Sequence, residues 1–222
     1  MEAAPLIDTA EETDGPAALL ADREVAFIIG SGSNRAIAIA SIADGRISRR
    51  LKGVSGTGID VLAGSTDGKT LFYVASRNVW SIPAADGSPR KIGAGDSIAV
   101  DPNDIELIVQ LNEREVCLAR VLIAGGEPRS IPFHSDLRLT GGVLAANAVR
   151  GDGRIVFSAS SKDSWFYGAA VLDPKTGAVE KVPLTDTGDI FAPGWGRNGR
   201  IIASGSPFKS TMWRFRPLPA KR

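Results

Sequence analysis

The 222-residue sequence has a single cysteine, Cys117, and a single histidine, His134. One thiol cannot form an intramolecular disulfide, so no disulfide framework is available to the fold. A histidine- or cysteine-based metal centre needs several such ligands, and the sequence predicts no metal and no cofactor. We expect Cys117 to be a small apolar residue of a strand and His134 to be a satisfied loop residue.

Excess charge is also lacking, because 26 Lys and Arg residues balance 25 Asp and Glu residues. This balance has none of the basic character of a nucleic-acid-binding protein, so no nucleic-acid partner is predicted. No apolar run approaches the ~20 residues of a membrane helix, and the acidic N-terminus does not resemble a secretion signal. As written, the sequence predicts a soluble, cytoplasmic chain without membrane insertion. An extracytoplasmic location stays open if the chain belongs to a larger, membrane-anchored protein.

Motifs for phosphate or calcium binding are missing as well. The glycine-rich stretches 30–33 and 53–58 lack the following helix and Lys-Ser/Thr pair that cradle phosphate. The Asp-Gly turns lack the alternating oxygen ligands of a calcium loop. The presence of a pair of catalytic carboxylates stays an open question, because the distance between two carboxylates depends on the three-dimensional fold.

The dominant feature that is present is a hairpin repeat, clearest in Ser65–Ile92. The Asp67-Gly68 pair favours a two-residue turn of type I′, which needs positive φ at both central residues. The apolar run Leu71–Ala75 is typical of a strand buried on both faces. Two more strands follow, Val79–Pro83 and Pro89–Ile92, and the proline places the last one at a sheet edge.

Weaker copies of this repeat recur along the chain. Their turn residues are spaced by 45, 34, 51 and 46 positions, and the average of 44 falls within the roughly 40–45 residues of a four-stranded propeller blade. The sequence therefore predicts an all-β chain, a β-propeller of about five four-stranded antiparallel blades. The five turn residues are Asp22, Asp67, Asp101, Asp152 and Asn198.

The predicted boundaries are an N-terminal segment, 1–16, and blades at 17–53, 54–93, 94–135, 136–185 and 186–222. We expect the inner strands of the first and fourth blades at Ala17–Ala21 and Gly142–Val149, and the third strand of the fifth at Thr211–Phe215. Two arrangements stay open. The chain is either a closed five-bladed ring, in which a strand near Pro5–Thr9 pairs with the fifth blade (Leu6 with Arg214), or the C-terminal part of a six- or seven-bladed propeller.

The motif STDGKTLFYVAS followed by VWSIPAADGSPRKI resembles the TolB-like, WD-repeat-like propeller repeat of bacteria, as does Leu118–Pro128. The segments Gly188–Trp195 and Met212–Phe215 resemble the last blade of propellers attached to bacterial serine/threonine kinases. This resemblance implies a sensing or scaffolding role in signalling, with a covalently linked upstream kinase domain if the chain is a fragment. One departure from the family is that no blade keeps the proline of the usual Ser-Pro-Asp-Gly turn.

Connections in an antiparallel blade alternate between two faces. The Asp-Gly turns share one face, here the turn face. The loops from second to third strand and from blade to blade share the other, here the loop face. Loops on a rigid scaffold commonly carry function, so we expect the site at the mouth of the central channel on the loop face. The candidate binding residues are Arg77, Asn78, Arg114, Lys162, Asp163, Trp165 and Lys209.

Among these candidates Trp165 can anchor a peptide or a sugar ring if it is exposed; the alternative is that it folds back over the sheet edge. Trp80, Trp195 and Trp213 are expected in the core. The leading functional hypothesis is a non-catalytic module that binds a protein or peptide. The runner-up is a lactonase- or glycosidase-like propeller hydrolase, and a third possibility is a purely structural fragment with no independent role. A cluster of perturbed ionisable groups in the channel would favour the enzyme, and a broad apolar patch around Trp165 would favour the binding module.

Overall fold

The computed structural model describes Ile7 and residues 9–21, 23–54, 58–184 and 188–207. Within these ranges the chain forms 18 β-strands and no α-helix, with short 3-10 turns at Gly32–Asn34, Lys52–Val54 and Arg197–Gly199. No helix in the described part is long and apolar enough to cross a membrane. The strands form four antiparallel four-stranded sheets and one two-stranded sheet, in chain order.

Each sheet is one blade, and its strands run from inner to outer in sequence order. Blade 1 contains β1 Thr13–Leu20, β2 Glu24–Ile29, β3 Ala36–Ser41 and β4 Ile47–Arg50. Blade 2 contains β5 Ile59–Gly64, β6 Thr70–Ala75, β7 Asn78–Pro83 and β8 Arg90–Ala94. Blade 3 contains β9 Ser97–Val100, β10 Glu106–Asn112, β11 Val116–Leu122 and β12 Arg129–Ser130. Blade 4 contains β13 Leu137–Leu139, β14 Ile155–Ser161, β15 Gly168–Leu172 and β16 Val179–Lys181, and blade 5 contains β17 Gly188–Trp195 and β18 Ile201–Pro207.

Successive blades pack face to face around a common axis. The inner strands β1 and β5 are in contact, as are β5 and β9, and β17 packs against β14 and β15 of blade 4. The core therefore lies between the blades. This arrangement confirms the predicted all-β fold built from propeller blades.

Strand β6 shows how the sequence produces this packing. Leu71, Tyr73 and Ala75 join the cluster shared with blade 1, whereas Phe72 and Val74 join the cluster shared with blade 3. Because side chains alternate across a strand, a strand packed on both faces needs an apolar residue at every position. The unbroken apolar run of this strand is thereby explained.

The inner strand of blade 1 begins earlier than the expected Ala17. It begins at Thr13, and its register with β2 shifts between Asp14 and Ala18. Gly15, with a φ of 75°, and Pro16 lie within this irregularity. A bulge tolerates a proline because the residue need not donate to the ladder, so the Gly-Pro pair is accommodated within the strand.

The predicted inner strand Gly142–Val149 of blade 4 is wrong. β13, which begins at Leu137, pairs with the end of β14, and Val149 forms only an isolated bridge with Ile155. The Thr140 N–H still donates to the Ser158 carbonyl at 3.3 Å, and the Ala148 carbonyl accepts from the Val156 N–H at 2.9 Å, but the intervening residues 141–147 leave the sheet. Within this axial segment the Leu144 N–H donates to the Ser97 hydroxyl of blade 3 at 2.8 Å. The Asn147 carbonyl accepts a hydrogen bond from the Trp195 N–H of blade 5 at 2.9 Å. The segment therefore joins blade 4 to both of its neighbours.

The turn at Asp67-Gly68 also differs from the expected type I′. Gly68 has positive φ (69°) and its N–H donates to the Ser65 carbonyl at 2.9 Å, while Asp67 does not have positive φ. The Asp67 carboxylate instead accepts the Ser65 hydroxyl at 2.7 Å and the Lys69 N–H at 3.0 Å. Positive φ at two successive residues occurs at Ser76-Arg77, with values of 50° and 59°, and at Asn198-Gly199, with values of 64° and 71°.

Several predictions about the chain ends concern residues outside the described ranges. They include the pairing of Leu6 with Arg214, the third strand Thr211–Phe215, the core position of Trp213, the turn residue Asp22 and the binding residue Lys209. The two arrangements of the chain, a closed five-bladed ring and part of a larger propeller, both stay predictions.

Candidate functional site

Two of the predicted binding residues are held by structural contacts. Arg77 Nε donates to Asp96 Oδ1 at 2.8 Å, which links the β6–β7 loop to the entry of blade 3. Asn78 Nδ2 donates to the Ser76 carbonyl at 2.7 Å, within its own turn. Both residues lie on the loop face as expected, but their polar groups stabilise loops.

The structure brings Arg114 and Lys162 together in a cleft of about 770 Å³ between blades 3 and 4. This blade 3–4 cleft opens between the strands of neighbouring blades, so the two residues meet there and not at an axial mouth. Lys162 Nζ lies 3.6 Å from Asp136 Oδ1, a weak ion pair between exposed groups. Cys117 also lines the cleft, and burial, together with the nearby Glu113 carboxylate, raises the pKa of its thiol. A raised pKa lowers the thiolate fraction that a nucleophile requires.

Trp165 lies in the β14–β15 loop and is 94% exposed. It therefore does not fold back over the sheet edge. Its neighbour Asp163 is exposed in the same loop. The loop is ordered by local bonds, since the Phe166 N–H donates to the Ser164 hydroxyl at 3.0 Å. The loop that carries Trp165 therefore has a defined conformation.

The chain segments at the junction of blades 4 and 5 carry four exposed apolar side chains, and Trp165 is one of them. Phe166 is 57%, Leu184 44% and Phe191 38% exposed. These four side chains are called the aromatic patch below. Two of them, Phe166 and Leu184, line a cleft of about 610 Å³, the blade 4–5 cleft, whose lining also includes Tyr167 and Pro183.

Tyr167 fixes this junction. Its N–H donates to Asp189 Oδ1 at 2.7 Å, and its carbonyl accepts from the Ile190 N–H at 2.9 Å. Its ring meets the Phe191 ring edge-on at 5.8 Å between centroids. No sequence pattern predicted Phe166, Leu184 or Phe191 as binding residues. Part of the patch could have been predicted from the three consecutive aromatic residues of one loop, Trp165-Phe166-Tyr167.

The predicted core tryptophans occupy packed positions. Trp80 is half-buried and stacks on Tyr73, with 6.4 Å between ring centroids. Trp195 packs against the cluster of blades 3 to 5, and the Arg150 guanidinium lies 4.8 Å from its ring centroid. Neither tryptophan contributes to the loop-face surface.

Several ionisable groups in the described part of the chain serve structural contacts, among them Asp152 and Glu24. Hydrogen bonds from Arg150 and from the Arg154 N–H, together with both guanidinium charges, lower the pKa of Asp152 to about 2. The pKa of Glu24 is lowered by its hydrogen bond with Arg49. A general acid would need a raised pKa. Among the described residues no three His, Cys, Asp or Glu side chains converge as metal ligands would.

No family model matches the chain, and no curated protein matches it. Many solved structures do. The chain resembles TolB from Acinetobacter baumannii, with a TM-score of 0.64 and 18% identity over 88% of this chain and 49% of the TolB chain. It also resembles a chain of the nidogen/laminin complex, with a TM-score of 0.65 and 16% identity over 88% of this chain and 73% of that one. A gluconolactonase from Xanthomonas campestris matches with a TM-score of 0.62 and 16% identity over 91% of this chain and 72% of the enzyme.

The chain thus spans about half the length of the TolB chain that it matches. At such low identity the likeness concerns architecture alone, because one propeller fold serves unrelated functions. Together with the blade geometry, these comparisons show that the chain has a TolB-like β-propeller fold.

Proposed function

We propose that this chain is a non-catalytic module that binds a protein or peptide on its loop face, at the aromatic patch. The observation that carries the proposal is the concentration of exposed apolar side chains. Of the nine large apolar residues that are exposed in the described part of the chain, four form this patch. Exposed apolar patches of soluble proteins commonly mark interaction sites, and aromatic side chains dominate the binding energy of such sites.

The electrostatics support binding over hydrolysis. The carboxyl groups of Asp96 and Asp152 have lowered pKa values and are engaged by arginines and main-chain N–H groups. A propeller hydrolase would instead need an acid and a base at the reacting bond. The patch around Trp165 is the feature that favours the binding module.

A finer form of the proposal assigns the module a sensing or scaffolding role in a bacterial signalling protein with a linked kinase domain. It rests on the resemblance of Gly188–Trp195 and Met212–Phe215 to the last blade of kinase-attached propellers. The coding sequence upstream of Met1 tests it. A kinase domain in the same reading frame is the expected result, and a stop codon directly upstream would contradict the linkage.

Selection from a random dodecapeptide library displayed on phage tests the binding function. The chain is expected to enrich a set of peptides, and the double variant Trp165→Ala/Phe166→Ala is expected to bind them at least about tenfold more weakly. Ile105→Ala is the matched control, because Ile105 is 60% exposed but lies on the turn face. Failure to enrich any peptide, or equal losses in the double variant and the control, would contradict the proposal.

A further inference from the structure

The two clefts are neighbours at the loop-face end of blade 4. Leu137 lines both of them. The β14–β15 loop also borders both, since it contributes Lys162 to the blade 3–4 cleft and Ser164 and Phe166 to the blade 4–5 cleft. The two clefts therefore lie next to each other on either side of Leu137 and the β14–β15 loop, and together they are called the groove below.

The two ends of this groove differ in chemistry. Among the described residues, the blade 3–4 end is lined by Arg114, Arg138 and Lys162, with Glu115 as the only acidic residue of its lining. The described lining of the blade 4–5 end is mostly apolar, and Lys181 is its one charged residue. The described lining of the groove thus has four basic residues and one acidic residue, in a chain whose net charge is only +1.

The basic groups of the groove are available to a ligand. Arg114, Arg138 and Lys181 form no ion pair within the described residues, and Lys162 has only the 3.6 Å contact with Asp136. Asp163 lies beside Lys162 in the same loop but is not part of the lining. Guanidinium groups without partners bind carboxylates in bidentate geometry.

We propose that the occupant of the groove is an extended peptide segment that carries apolar side chains at one end and acidic side chains at the other. The apolar side chains contact Phe166 and Leu184, and the carboxylates contact Arg114 and Arg138. This inference rests on the proposed function and adds the chemistry of the partner. A peptide suits the groove better than a single-stranded nucleic acid, because the apolar end includes Val182, Pro183 and Leu184 beside its aromatic rings.

The composition of selected peptides tests this inference. Peptides selected by the wild-type chain are expected to combine apolar residues with Asp and Glu. For the variant Arg114→Glu/Arg138→Glu, the acidic preference should disappear, and the best wild-type peptide should bind about tenfold more weakly. Arg46→Glu/Lys91→Glu is the matched control, because it makes the same charge change on blades 1 and 2, and it should bind like the wild type.

The alternative outcomes separate the inference from the function. Selected peptides without charge preference that still need Trp165 would overturn the inference and leave the binding function intact. Selected peptides rich in Lys and Arg would do the same. Tighter binding of a dT20 oligonucleotide than of the selected peptide, or self-association that Trp165→Ala abolishes, would overturn the inference in favour of nucleic acid or a second copy. Selection of no peptide would overturn both.

Discussion

Arg77 links two blades although its side chain is largely exposed. Its Nε donates to Asp96 Oδ1 at 2.8 Å, and the Asn112 N–H donates to Asp96 Oδ2 at 2.7 Å. Asp96 thereby joins the β6–β7 loop of blade 2 to the end of β10 in blade 3. Partial burial acts to raise the pKa of Asp96, but the hydrogen bonds from Arg77 and Asn112 outweigh it and hold the pKa below its ordinary value.

This contact predicts a pH-dependent contribution to stability. A carboxyl with a lowered pKa in the folded state stabilises the fold above its unfolded pKa of about 3.9, and the effect disappears as pH falls through the folded pKa. Asp96→Asn should therefore lower the free energy of unfolding by about 1–2 kcal/mol at pH 7, and by much less once the wild-type carboxyl is protonated. Urea unfolding across this pH range measures the difference.

The exposed residue Asp163 supplies the control for this measurement. Asp163→Asn should leave the free energy of unfolding almost unchanged at either pH. If Asp96→Asn destabilised the chain equally at neutral and strongly acidic pH, the ionised pair would not be the source of the effect.

Loop positions of residues were predictable from sequence, but their partners were not. Arg77 and Asn78 were expected in a loop because they follow an apolar strand and precede another. Asp96 is 19 positions from Arg77, so only the folded chain shows that the arginine is already engaged. Trp165 was open to two interpretations for the same reason, since exposure depends on what neighbouring blades provide.

The axial segment 141–147 is the element that departs most from the repeat. Its apolar composition matches a buried strand, and the sequence pattern accordingly predicted one. In the structure its main-chain groups bond outside the sheet of blade 4. Gln110 Nε2 donates to the Gly142 carbonyl at 2.8 Å, and Asn147 Nδ2 donates to the Trp195 carbonyl at 2.8 Å. Periodicity cannot distinguish these side-chain and cross-blade partners from a regular ladder.

Ser97 offers a test of this element. Its side chain is buried, with 1% of the residue exposed, and its hydroxyl accepts the Leu144 N–H at 2.8 Å. Ser97→Ala would leave this buried amide unpaired, so the free energy of unfolding should fall by about 1–3 kcal/mol. Urea unfolding measures the loss, with the exposed Ser88→Ala as control. A Ser97→Ala variant as stable as the control would show that the axial segment is not anchored there.

At the scale of the whole molecule, the blades position residues that are distant in sequence. The aromatic patch takes Trp165 and Phe166 from a loop of blade 4, Leu184 from the connection to blade 5, and Phe191 from β17. The repeat spacing predicted the blades and the two faces, because turn residues and apolar runs are local signals. It could not predict which blade junction opens into a cleft, because this depends on how two sheets diverge.

The charged and apolar ends of the groove likewise belong to different blade junctions. The sequence predicted Arg114 and Lys162 as binding residues of two separate loops. In the fold, both line the blade 3–4 cleft. Arg138 and Lys181 escaped prediction because they lie on strands β13 and β16, where a basic residue is usually a solvated surface group.

Hydrogen exchange of the chain with and without its best selected peptide locates the bound partner, which we propose to lie on the loop face of blade 4. We expect slower exchange in residues 162–168 and 182–184 and at the start of β17, with unchanged exchange in the turn-face hairpins at 65–70 and 150–154. Protection of the turn-face hairpins with no change in residues 162–168 would contradict this proposal.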